Sequence, residues 1–244
     1  MTSQKIKRVL VPLSSQLTPA GLLDHAADIA SKLQSELCGL FIEDSDLLNF
    51  AQLPVGREIS FSTGRIQTSS MSNMERSLRQ CASRSQQEIS KLATHYKIQS
   101  QFVTRRGHTQ QTVQMEVQSG DLLILSGQGQ QATKALLKQA YDFLHSGHHY
   151  LAWLPSHSSA GDDITVVQDN SPAANESMKL AKRLLKDSEH TVSTITDTNL
   201  DTLKNKLQTC VQGLWIVPYR QDWDLKVLED LLAKTRCQVL IVNT

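Results

Sequence analysis

Short β-branched or aliphatic runs alternate with amphipathic stretches along nearly the whole chain, and this alternation constrains the fold more than any single motif. Ile6 to Leu13 (IKRVLVPL) reads as a buried strand. Thr18-Pro19 supplies a helix cap and first turn. Leu22, Leu23, Ala26, Ala27, Ile29, Ala30 and Leu33 then follow at helical spacing on one face. Leu37 to Glu43 is a second strand, and a long helix from about Ser72 to His95 leads to a third at Gln101 to Thr104. A short helix near Thr109 to Val117 precedes a fourth strand, Asp121 to Ser126. Another helix, about Ala132 to Leu144, precedes a fifth, His149 to Leu154. Strands this apolar are buried on both faces, and a helix separates each from the next. That combination implies a parallel sheet covered on both sides, with right-handed crossovers.

Behind Pro155 the polar stretch Ser156 to Asp162 reads as a linker. A second series starts after it. Ile164 to Gln168 is a strand, Ala173 to Leu185 a helix, Thr191 to Ile195 a strand and Leu200 to Cys210 a helix. Leu214 to Val217 is a strand, Leu225 to Leu232 a helix, and Val239 to Val242 the last strand. The two series are similar. Ile164 aligns with Val9, Val166 with Val11, Asp169 with Ser14, Met178 with Leu23 and Ala181 with Ala26. Gly213 to Val217 aligns with Asp121 to Leu125 once the long helix and third strand are left out of the second series. Duplication with one deletion is the simplest account. It divides the chain into units at 1–155 and 162–244.

Composition narrows the function classes. Lys+Arg 25 against Asp+Glu 24 gives a formal charge of +1, and no basic stripe with interleaved aromatics stands out, so no nucleic-acid partner is expected. No apolar run approaches the roughly 20 residues of a membrane-spanning helix, and the N-terminus shows no signal core. A cytoplasmic protein without a membrane partner is the expectation. Cys38, Cys81, Cys210 and Cys237 are scattered without CxxC spacing and read as buried or half-buried thiols.

Several stretches resemble the universal stress protein family. Arg8 to Leu13 sits where that family has its first strand, and Leu22-Leu23-Asp24-His25-Ala26 is similar to the start of its first helix. Asp121 to Gly129 (DLLILSGQG) resembles its fourth strand and glycine turn, and Cys237 to Val242 (CQVLIV) its closing strand. Asp169-Asn170-Ser171 resembles an Asp-Gly-Ser turn after strand one. Leu40 to Asp44 with Leu47, Leu48 and Ala51 to Pro54 looks like a subgroup of bacterial members. The resemblance implies α/β architecture: two doubly wound parallel-sheet domains of the adenine-nucleotide alpha-hydrolase-like type. The first would have five strands and the second, truncated, about four. It also implies two sheets packed through their last strands as an intrachain pseudo-dimer, a homodimer as a further option, and for many members AMP or ATP at the strand ends.

ATP-binding members use an acid after strand one and a Gly-x-x-Gly then Gly-Ser/Thr pattern after strand four. Glycines let backbone N–H groups approach phosphate oxygens, and a helix N-terminus adds favourable partial charge. Here Ser14 replaces the acid, Ser126 and Gly129 occupy the first glycine pair with Gly127 beside them, and Gln139-Ala140 replaces Gly-Ser/Thr. The second series keeps Asp169, but Pro218 and Gln221 replace its proximal glycines, and Pro218 has no N–H. Any surviving nucleotide site would lie around Ser14, Ser15, Ser126, Gly127 and Gly129, with Asp169 a remnant.

Other constellations carry less. His145, His148 and His149 cluster in sequence, but adjacent strand residues face opposite ways, so structural positions are favoured over a metal. Arg105-Arg106-Gly107-His108 is a basic loop that could meet an anion. No GxSxG elbow or Walker lysine is present, and Ser14-Ser15 with His108 is a nucleophile and base in name only. The insertion from Asp44 to Ser72 places Leu47, Leu48, Phe50, Ala51 and Leu53 ahead of a Ser/Thr-rich flexible stretch. It reads as a flap, a lid or a docking surface for a protein partner. The expectation is a non-enzymatic stress-response regulatory or binding module with weakened or lost nucleotide binding. An AMP/ATP-binding protein is the alternative, and a hydrolase or transferase at the same crevice the third reading.

Overall fold

A computed structural model of the chain describes residues 5–15, 21–51, 57–59, 66–68, 71–126, 130–155, 159–185, 192–196, 199–210 and 212–244; side chains at 51, 57–59, 66–68, 130–133 and 159–162 are not described. The elements are β1 (Arg8–Leu13), α1 (Leu22–Leu33), β2 (Glu36–Asp44), α2 (Ser45–Ala51), β3 (Arg57–Ile59), β4 (Ile66–Thr68), α3 (Met71–Tyr96), β5 (Ser100–Gly107), α4 (Thr109–Glu116) and β6 (Asp121–Leu125). They continue with α5 (Gln130–His145), β7 (Tyr150–Trp153), β8 (Ser159–Val167), α6 (Pro172–Leu184), β9 (Val192–Ile195), α7 (Leu200–Thr209), β10 (Gln212–Pro218), α8 (Leu225–Leu232) and β11 (Gln238–Val242).

One sheet of nine strands runs in the order β5-β2-β1-β6-β7-β11-β10-β8-β9. The first five strands are mutually parallel, as are the last four. β7 and β11 meet antiparallel, with Leu151 opposite Ile241 and Ala152 opposite Leu240. The strand numbers agree with the sequence reading, five and four. The last strands of the two series are the ones that meet, and their pairing merges the two sets into one sheet, which leaves neither β7 nor β11 as an edge with unpaired backbone donors and acceptors.

Alternation along each strand builds two cores. Val9, Val11, Leu122 and Ile124 point to one face, under α1, α3 and α6, while Leu10, Leu123 and Leu125 point to the other, under α4, α5, α7 and α8. Each fully buried aliphatic side chain there contributes about 1.5–3 kcal/mol. At the foot of the sheet Arg8 lies in register with Asp121, and the two side chains pair across β1 and β6. Across the antiparallel seam α1 touches α6 and α5 touches α8. Arg183 donates to Leu33 O (3.3 Å), and the Gln238 amide meets the His25 ring (3.3 Å).

Three details differ from the sequence reading. Helix α1 starts at Leu22 with Gly21 as its N-cap, at φ 81°; Thr18 and Pro19 lie outside the described residues. In the insertion the apolar patch lies on α2, and the stretch expected to be flexible, Gly56 to Ser72, contains the antiparallel pair β3–β4, Ile59 opposite Ile66 and Arg57 opposite Thr68, where β-branched residues favour extended pairing. The expected linker is shorter, since β8 begins at Ser159. Among the described residues no helix is long and apolar enough to cross a membrane.

Gly213 marks an irregularity. The register of β10 on β8 shifts between Gln212 and Leu214, Gly213 has φ 94°, and a Cβ there would lie 2.8 Å from the carbonyl oxygen of Asp163. Gly213→Ala is expected to cost about 1–3 kcal/mol, read as a lower urea midpoint. An unchanged midpoint would show that the bulge relaxes freely.

Candidate functional site

In open parallel sheets, ligands sit beyond the carboxyl ends of strands where the winding direction reverses. In the first block that point lies between β1 and β6, since β1 continues to β2 on one side and borders β6 on the other. The register that sets Leu10 opposite Leu123, carried three residues on, brings Leu13 level with Ser126. Ser14, Ser15 and Ser126 therefore gather at one corner, all half-buried and all neutral. Ser126 Oγ is a buried hydroxyl without a hydrogen-bond partner among the described residues, and so is the amide nitrogen of Gln139 on α5. Native structures rarely leave such groups unpaired. Gly127 and Gly129 lie outside the described residues.

The second block reverses between β8 and β10. Asp169 follows β8, but its Oδ1 accepts from Ser171 N at 3.0 Å, and Ser171 Oγ accepts from Ala174 N at 3.1 Å as the N-cap of α6. Asn170 between them has φ 61°, the left-handed position where the resembled turn has glycine and which asparagine tolerates. The remnant acid thus serves a turn. Beyond Pro218 two aromatic side chains are buried in the core under α5 and α8. Tyr219 and Trp223 are 5% and 2% exposed, packed edge to face at 5.7 Å, and Tyr219 N donates to Val242 O at 2.7 Å. Sequence reasoning missed this pair. Its available signal was two aromatics within five residues after a strand, in a chain only 5% aromatic.

The remaining candidates disperse. Arg105 donates to Glu116, and Arg106 to Glu43 (3.0 Å) and Glu75 (3.4 Å), so neither guanidinium waits for an anion. Those pairs keep the Arg106 guanidinium charged beyond its ordinary range, chiefly through the bond to Glu43. Ser14 and His108 stand at the ends of strands separated by β2, about 9–10 Å apart across the sheet, so they are not brought together as nucleophile and base. The three clustered histidines take three separate partners. The His145 ring meets Tyr219 OH at 2.7 Å, His148 stacks on Phe143 at 4.6 Å, and His149 Nδ1 lies 3.1 Å from Asn243 O. Desolvation holds His148 below the usual imidazole range, which favours its neutral form. Cys38 and Cys237 are buried, and Cys81 and Cys210 half-buried; all are free thiols. Within the insertion Leu48 is buried, Leu47 half-buried and Phe50 exposed; Leu53 and the Ala51 side chain lie outside the described residues.

Solved structures share this arrangement. A universal stress protein from Archaeoglobus fulgidus superposes with TM-score 0.56 at 11% identity, over 96% of each chain. The fold is that of the universal stress proteins. A functionally unknown protein from Pseudomonas aeruginosa superposes with TM-score 0.61 at 13% identity, over 98% of this chain and 93% of that one. Another from the same species, provisionally described as a universal stress protein, gives 0.57 at 12% identity, over 98% and 94%. No family model and no curated protein sequence matches the chain.

Proposed function

We propose that the chain is a regulatory or binding module of the universal stress protein family, acting in the cytoplasmic stress response without catalysis, with nucleotide binding weakened or lost. In this reading 1–155 and 162–244 are duplicated halves forming an intrachain pseudo-dimer, supported by the β7–β11 seam and by the α1–α6 and α5–α8 contacts. The observation that carries the reading is the use of Asp169: its carboxylate is committed to Ser171 N, while the aligned position in the first half is the neutral Ser14. Among the described residues, the acid of the second corner is drawn into its own turn and the first corner has a neutral residue in its place. Phe50, 51% exposed on α2, supports a docking role for the insertion. Adding ATP with Mg²⁺ is expected to leave the melting temperature unchanged and the ATP intact. Binding at 100 times the dissociation constant would instead add about 2.7 kcal/mol.

One observation favours a second reading, AMP or ATP at the first corner: the buried Ser126 Oγ beside the strand end, which has no hydrogen-bond partner among the described residues. That reading predicts stabilisation by AMP that disappears in Ser126→Ala, with the unliganded variant no less stable than wild type. A flat AMP titration of the wild type removes it.

A further inference from the structure

The parallel register of β2 on β5 places Asp44 directly beside Gly107. His108, the next residue, is thereby carried to the start of α2, where Asp46 stands. His108 Nδ1 lies 3.4 Å from Asp46 Oδ2, and ligand atoms of Asp44, Asp46 and His108 all fall within 4.8 Å of one another. Asp44 is held in place from two sides: its Oδ1 accepts from Asp46 N at 2.8 Å, and its Oδ2 from the Thr109 hydroxyl at 3.3 Å.

The charge balance is uneven. Two carboxylates this close repel each other, and among the described residues neither pairs with a lysine or arginine. The cations on the adjoining strand are committed elsewhere, Arg105 to Glu116 and Arg106 to Glu43 and Glu75. A divalent cation between the three side chains would offset the repulsion and give each an electrophilic partner.

We propose that Asp44, Asp46 and His108 form a site for a divalent first-row transition ion, with Zn²⁺ favoured and Mn²⁺ weaker. The imidazole nitrogen selects this class over Mg²⁺ and Ca²⁺, whose shells are oxygen-based. Two carboxylates neutralise the ion. Three protein ligands leave at least one position open, the pattern of sites that present an ion to a further ligand rather than close around it to hold a fold. The Thr109 hydroxyl orients Asp44 from outside the coordination shell. The site stands on the sheet register and is independent of any nucleotide at the Ser126 corner.

Zn²⁺ and Mn²⁺ titrated calorimetrically into the metal-stripped full chain test the proposal. The wild type is expected to bind one Zn²⁺ with an affinity that falls at least about tenfold in His108→Ala and again in Asp46→Asn. Asp46→Glu, which keeps the carboxylate, recovers part of it, and His148→Gln leaves it unchanged. The His108 and Asp46 side chains are 56% and 74% exposed, so the variants are expected to melt with the wild type. Absence of saturable Zn²⁺ binding, or an affinity unchanged in both His108→Ala and Asp46→Asn, overturns the site.

Discussion

Asp121→Ala is expected to remove about 3–5 kcal/mol of folding free energy, the cost of leaving a buried charge without its partner. The Arg8 and Asp121 side chains are 11% and 2% exposed and meet through two bonds, Nε to Oδ1 at 3.0 Å and Nη2 to Oδ2 at 2.6 Å. Asp121 Oδ2 also accepts from Gln118 N at 2.8 Å, and Arg8 Nη2 donates to Glu116 O at 2.9 Å, so the loop before β6 hangs on the same pair. Neutralisation offers no escape: the bond to Asp121 raises the Arg8 guanidinium in the wild type, and even without that bond an arginine stays protonated. Urea unfolding checks the value. The double variant Arg8→Met with Asp121→Leu is expected to recover most of the loss, since removing both charges also removes their desolvation cost. A single variant within about 1 kcal/mol of wild type would mean that water reaches the guanidinium and the pair contributes little.

Ile241→Ala is expected to cost about 2–5 kcal/mol and to lower the stability of the whole chain in one step. Ile241 is 1% exposed and lies opposite Leu151 at the seam, in the same core as Trp153 of the first block and Trp215 of the second. A cavity there loosens α5 and α8 together. Far-ultraviolet circular dichroism and tryptophan fluorescence should follow one common transition in both wild type and variant. Two resolved transitions, with only one displaced, would show that residues 1–155 fold independently of the rest.

Much of this fold was legible because a strand buried on both faces must be apolar throughout, and runs such as Asp121 to Leu125 and Gln238 to Val242 have few other uses. Edges were not legible. Nothing in the residues Tyr150 to Trp153 themselves distinguishes a strand that ends a sheet from one that joins two blocks; only the family resemblance pointed to a junction at the last strands. The hairpin at Arg57–Ile59 and Ile66–Thr68 was hidden by Ser/Thr-rich surroundings that suggest a loop. Asp169 could be recognised as an acid at the right place, but its commitment to Ser171 N follows from the left-handed turn at Asn170, which sequence alone leaves open. The meeting of His108 with Asp46 required the β2–β5 register, a contact between segments far apart in the chain.

The direction of β11 against β7 has a geometric consequence. Strands of the second block end where those of the first begin, so the Ser126 corner and the Asp169 corner open at opposite rims. What one corner lacks the other cannot lend it, and no small molecule can bridge the two. The two corners therefore face away from each other along the strands.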